Sequence, residues 1–276
     1  MCEITGCGSH REMPPIKVSD RERRLFLKGL ASLPLATVLA YPEFSRAAAA
    51  STEQIQLTTE GGKQVNAAVA MPNADNAPSV LLIHEWWGLN DQIKSVAADL
   101  AKQGYVALAV DLYDGNVATT PDGARSLMQG VDAAAATDTL VSWINYLKNH
   151  SATNGKVGTV GWCFGGGWSL NASLSAAVDA TVIYYGNVKK QTASLSALKS
   201  PVLGHFATED GWINREMVDG FVDAMRGAGK SDDLTVHWYE ADHAFANPTS
   251  ARYDAEDAAL SWQRTSAFFK DHLAGS

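Results

Sequence analysis

Cys163 lies in the stretch VGTVGWCFGGGWSL, residues 157–170, where an apolar, β-branched run gives way to small residues. Gly161 and Gly165 flank it at two residues on either side. A nucleophile carried on a sharp strand-to-helix turn needs glycine at those two places, because the neighbouring backbone comes too close for a Cβ. A thiol at a helix N-terminus also meets unpaired N–H groups and the positive end of the helix dipole. Both favour a thiolate and any oxyanion formed beside it. A lone cysteine more often serves as a small buried hydrophobe; the paired glycines set this one apart.

Two further groups complete the chemistry. Asp210 follows the apolar run PVLGHFA, and His243 follows LTVHWYE. The order nucleophile, acid, base is that of the α/β-hydrolase arrangement. His243 can take the thiol proton and return it to a leaving group, while Asp210 fixes the imidazole tautomer and supports its charge. Glu209 and Asp242 are rival carboxylates; Asp210 is preferred because Gly211 and Trp212 turn the chain directly after it. His205 and His237 lie inside apolar runs and read as core or face histidines, and His150 as a helix-terminal surface residue. The seven histidines show no HExxH and no paired Cys/His spacing, so no metal site is expected.

These groups require a scaffold that delivers them to one edge. QIQLTT and QVNAAVAMP, separated by Glu60-Gly61-Gly62-Lys63, predict an antiparallel hairpin. Beyond it, buried strands SVLLIHE, YVALAVDLY, KVGTVGW, ATVIYYG, PVLGHFA and LTVHWYE alternate with helical stretches, one of them a long helical region over residues 121–150. The pattern predicts an α/β fold, a mostly parallel sheet covered by helices on both faces. In such a sheet ligands gather at the carboxyl ends of the strands. Glu85, Cys163, Asp210 and His243 all fall there.

The chain has 276 residues, 46% of them hydrophobic and 19% charged, which suits a single globular domain with a substantial core. Its first 50 residues set Arg23-Arg24 before Leu25-Phe26-Leu27-Lys28, then a short apolar stretch, then alanines at 47–50. This resembles a twin-arginine signal, with cleavage expected within residues 47–51 and a domain spanning residues 51–276. A basic amphipathic helix is the alternative. Residues 29–41 are too few to span a bilayer, which takes roughly 20 apolar residues, and Pro34 interrupts them. No stable membrane anchor is expected; the twin-arginine export machinery is the expected partner during targeting, and the periplasm or the exterior the destination. Removing residues 1–50 takes away seven basic and five acidic residues, so the net charge moves from −8 to −10. A chain this acidic offers no footprint for nucleic acid. The same cut leaves Cys163 without an intramolecular disulfide partner, since the other two cysteines are Cys2 and Cys7.

With IHEWWG, VDLY, GWCFGG, ATEDGW and ADHAFAN in this order, the chain resembles the dienelactone hydrolase family of α/β-hydrolases over residues 52–273. The resemblance implies hydrolysis of a small lactone or ester without a cofactor, through a triad of Cys163, His243 and Asp210. It also implies that Glu85 contacts the thiol and helps to deprotonate it when substrate arrives. A carboxylate beside a cysteine discourages the thiolate by like-charge repulsion, so resting reactivity is expected to be muted. The oxyanion hole is expected from the backbone N–H of Trp86, by family match, and of Phe164, which follows the nucleophile. Trp86, Trp87, Phe164, Trp168 and Trp212 are candidates to wall the pocket, or simply core aromatics. One departure stands out: the family's arginine four positions after the catalytic histidine is Asn247 here. Arg125 and Arg252 are the nearest candidates to hold a substrate carboxylate. A thiol-based redox or binding module, and a catalytically silent binder of small molecules, are the readings from other classes.

Overall fold

The structure is a computed structural model that describes Leu35 and residues 42–274. Strands β1 (Glu53–Thr58) and β2 (Gln64–Ala70) form the expected hairpin, and β2 pairs antiparallel with β4 (Val106–Val110). From there the sheet is parallel through β3 (Ala77–Ile83), β5 (Thr153–Trp162), β6 (Ala180–Tyr184), β7 (Val202–Ala207) and β8 (Leu234–Tyr239). The order across the eight strands is β1-β2-β4-β3-β5-β6-β7-β8.

Alternation along the central strands decides what packs where, because successive side chains point to opposite faces. Val80 and Leu82 enter a cluster with Ile93, Val96 and Leu100 of α2 (Asp91–Lys102) and Phe269 of α8 (Ala255–Leu273). Leu81 and Ile83 face the other way, onto Leu140, Trp143, Ile144 and Leu147 of α4 (Ala133–Asn149). Each such side chain, fully buried, stabilises the fold by about 1.5–3 kcal/mol.

The helical region at 121–150 is not continuous. It divides into α3 (Pro121–Gln129) and α4, with Gly130 closing the first helix and the Asp132 carboxylate accepting from Ala135 N–H at 2.8 Å to open the second. A side-chain acceptor at an N-cap satisfies a backbone donor that the first turn leaves free, and helical periodicity alone did not reveal the restart. Of the residues assigned to a leader on sequence, Arg23 and Arg24 lie outside the described residues. Residues Pro42–Ala49 form α1, packed on α2 through Phe44, Ala48 and Ala98 and through a Ser45 Oγ to Ser95 Oγ hydrogen bond of 3.0 Å.

Candidate active site

The sheet order brings the chemistry together. The chain leaves β3 for β4 on one side and returns to β5 on the other, so a crevice opens between the carboxyl ends of β3 and β5. Cys163 follows β5 there. Across β3, β5, β6, β7 and β8, which are neighbours in this order, the strand ends present Glu85, Cys163, Tyr185, Asp210 and His243.

Cys163 takes φ +55° and ψ −116° as it enters α5 (Phe164–Ser175). A non-glycine residue with positive φ stores about 1–3 kcal/mol of strain, and close backbone contact holds it in place. A Cβ added to Gly161 would lie 2.0 Å from the Gly165 carbonyl oxygen, and one added to Gly165 would lie 2.2 Å from that of Ile83. The backbone N–H of Cys163 donates to the Tyr184 carbonyl at 3.0 Å, and its own carbonyl accepts from Gly166 N–H at 3.0 Å. The side chain, half-buried, is thereby lifted above the edge of the sheet.

His243 stands between the thiol and the acid. Its Nδ1 donates to Asp210 Oδ2 at 2.6 Å, and the Cys163 sulfur lies within electrostatic reach of the ring. Burial depresses the imidazole pKa, but the hydrogen bond to Asp210 and the charges of Cys163 and Asp210 outweigh it and raise the value to about 10. For Asp210, burial pushes upward and is overcome by its bond to His243 and by the N–H groups of Ile213 (2.9 Å) and Trp212 (2.8 Å), so its carboxyl sits below the ordinary range. The two backbone donors arise because the chain turns at Gly211. The rivals do other work: Glu209 is exposed, while Asp242 accepts from the His243 backbone N–H at 2.6 Å and pairs with Arg252 at 3.0 Å. His205 is a satisfied core histidine, bonded to Tyr239 and Thr265.

Glu85 departs from the expected contact with the thiol. It is buried, and its two carboxyl oxygens are taken by the Tyr185 hydroxyl at 3.3 Å and by Asn247 Nδ2 at 2.5 Å. Burial raises its pKa, against the opposing pull of Asn247, His243 and Tyr185. A carboxyl bound by neutral donors and kept from water leans towards its protonated form, so it repels a thiolate less than sequence alone implied.

Around these groups lie aromatic rings. Tyr185 and Trp212 meet His243 at centroid distances of 5.1 and 5.2 Å, and Trp86 meets Trp87 at 5.0 Å. Phe164 touches His84, Tyr113 and Trp168. Neither the Trp86 nor the Phe164 N–H has a backbone acceptor among the described residues. Arg252 stands at the rim, its guanidinium 5.0 Å from the Trp212 ring. Arg125 pairs with Asp122 at 3.0 Å on the exposed side of α3 rather than with a site residue. Among the described residues no group of three or more potential metal ligands is present. Tyr185, Tyr113 and the bonding of Asn247 to Glu85 were missed on sequence. The first two follow parallel strands β6 and β4, and a search of every strand end for polar aromatics would have found them.

Sheet, elbow and polar convergence together define an α/β-hydrolase scaffold. The dienelactone hydrolase family model matches residues 65–273, and the chain belongs to that family. It is 32% identical over 227 residues to the carboxymethylenebutenolidase of Pseudomonas putida, covering 77% of this chain and 94% of the relative. Carboxymethylenebutenolidase 1 of Cupriavidus pinatubonensis is 25% identical over 224 residues, covering 78% and 94% respectively. A solved structure of a dienelactone hydrolase-like promiscuous phosphotriesterase from metagenomic libraries superposes with a TM-score of 0.73 at 24% identity, over 81% of this chain and all of its own, and shares the fold.

Proposed function

We propose that the protein hydrolyses a small lactone or activated carboxylic ester by transferring the acyl group to Cys163. The observation that carries this reading is the imidazole of His243, bonded to Asp210 at 2.6 Å and held at a raised pKa by Asp210 and by the nearby Cys163 sulfur. The raised pKa of His243 keeps the proton on the imidazole, so sulfur attacks as the thiolate: the S–C bond forms and the carbonyl π pair moves to oxygen, facing the N–H groups of Trp86 and Phe164. Collapse of the adduct breaks the C–O bond, and the departing oxygen takes the proton from His243. Water then loses a proton to His243 and attacks the thioester, and as the S–C bond breaks the sulfur leaves as the thiolate beside the protonated ring. Asp210 holds the ring through both halves.

A thiolate leaves more readily than a poor alkoxide, so the chemistry favours good leaving groups such as the enolate of an enol lactone. Asn247 is occupied with Glu85 and Arg125 with Asp122, whereas Arg252 lies over the Trp212 ring that meets His243. Turnover of p-nitrophenyl acetate and dihydrocoumarin by wild type, Cys163→Ala and Cys163→Ser tests the assignment. Loss of a nucleophile should lower kcat on the order of 10³-fold or more in Cys163→Ala. Equal rates in all three proteins would remove Cys163 from the mechanism, and a wild type that cycles between oxidised and reduced thiol without turnover would favour a redox module. We further propose that residues 1–50 act as a twin-arginine leader, which carries the folded enzyme to the periplasm or beyond. Its support is the spacing of Arg23-Arg24 and the apolar stretch that follows.

A further inference from the structure

The loop after β4 carries a group that the mechanism above does not use. Tyr113 is buried, and its hydroxyl has no hydrogen-bond partner among the described residues. Its position is nevertheless closely defined. The backbone N–H donates to Asp111 Oδ1 at 2.8 Å, and the carbonyl accepts from the backbone N–H and side-chain amide of Asn116 at 3.0 and 2.8 Å. The ring packs edge-on against His84, with centroids 4.6 Å apart, and lies 5.6 Å from Phe164, whose backbone N–H is assigned to the oxyanion hole. A Cβ on Gly88 would come within 3.2 Å of Tyr113 Cδ2, so that side is closed as well. The phenol also lies within electrostatic range of the Cys163 sulfur.

An unpartnered buried hydroxyl costs about 1–3 kcal/mol. A group of this kind calls for an explanation, and a catalytic role is one. On the hydrolase reading, we infer that the Tyr113 hydroxyl is a third donor to the oxyanion, giving its hydrogen bond to the oxygen of the carbonyl attacked by Cys163. In the step concerned, the sulfur bonds to the carbonyl carbon, the π pair goes onto oxygen, and Tyr113 keeps its proton while sharing it with that oxygen. Burial raises the phenol pKa well above its ordinary value, which keeps the group a donor rather than a base. The donor is matched to charge that appears only in the transition state, so it acts on kcat more than on KM.

Tyr113→Phe removes one oxygen and nothing else. With p-nitrophenyl acetate, kcat should fall on the order of 10- to 100-fold with KM nearly unchanged. Alkylation of Cys163 by iodoacetamide forms an S–C bond and expels iodide without creating an oxyanion, and its rate should not change. The melting temperature should hold or rise, because the lost hydroxyl had no partner. Unchanged kcat would overturn the inference. So would a parallel fall in kcat and alkylation, which places the effect on the sulfur, or a marked drop in melting temperature, which reveals a structural bond. A wild type without esterase turnover would sink the hydrolase reading and this inference together; an active wild type matched by Tyr113→Phe would sink the inference alone.

Discussion

Glu85 shows most clearly how the surroundings of a residue change its chemistry. Its carboxyl is cut off from water, and burial raises its pKa above the ordinary value of 4.5 despite the bonds from Asn247 and Tyr185 and the charge of His243. The native state therefore holds this proton more tightly than the unfolded chain. The resulting stability is fully present below pH 4.5 and is lost as the pH rises through the folded value. Glu85→Gln keeps the shape and removes the titration. Urea unfolding should find the variant more stable than wild type at pH 8, with the difference shrinking or vanishing at pH 4. A difference that is the same at both pH values would contradict the account.

At the scale of elements, the strands were the most legible part. SVLLIHE and YVALAVDLY are nearly unbroken apolar runs because β3 and β4 are covered on both faces, and Val80 and Leu82 pack opposite to Leu81 and Ile83. The elbow was legible too, since Gly161 and Gly165 occupy sites where a Cβ would collide with backbone. The apolar runs before Cys163, Asp210 and His243 put all three at the carboxyl ends of strands, and β5, β7 and β8 do run parallel in the sheet. The restart at Asp132 was missed because the α3 and α4 stretches share a helical period and only a cap separates them. The partners of Glu85 were out of reach for a different reason. Tyr185 takes a positive φ of 34°, unusual for a bulky residue, which one-dimensional patterning does not encode. Asn247 lies 162 positions from Glu85 along the chain, and their bond depends on how the loop after His243 folds back.

For the whole molecule, the parallel sheet gathers the reacting groups at the carboxyl ends of its strands, while the antiparallel hairpin β1-β2 forms one lateral edge. The first 50 residues add a question of destination. Helix α1, from the end of that segment, packs on α2 with a buried Ser45–Ser95 pair, so this part of the chain joins a folded body. Twin-arginine export carries folded proteins, and it depends on the arginine pair. Changing Arg23→Lys together with Arg24→Lys should retain the precursor in the cytoplasm in a fractionation assay, whereas undiminished export would contradict the leader assignment.

The account depends above all on sulfur becoming the acyl carrier. The most direct test is the intact mass of the protein, acid-quenched during turnover of p-nitrophenyl trimethylacetate, whose bulky acyl group slows release. The prediction is one trimethylacetyl group, mapped to Cys163 and absent from Cys163→Ala. Catalytic release of p-nitrophenol with Cys163 unmodified at every quench time would contradict it.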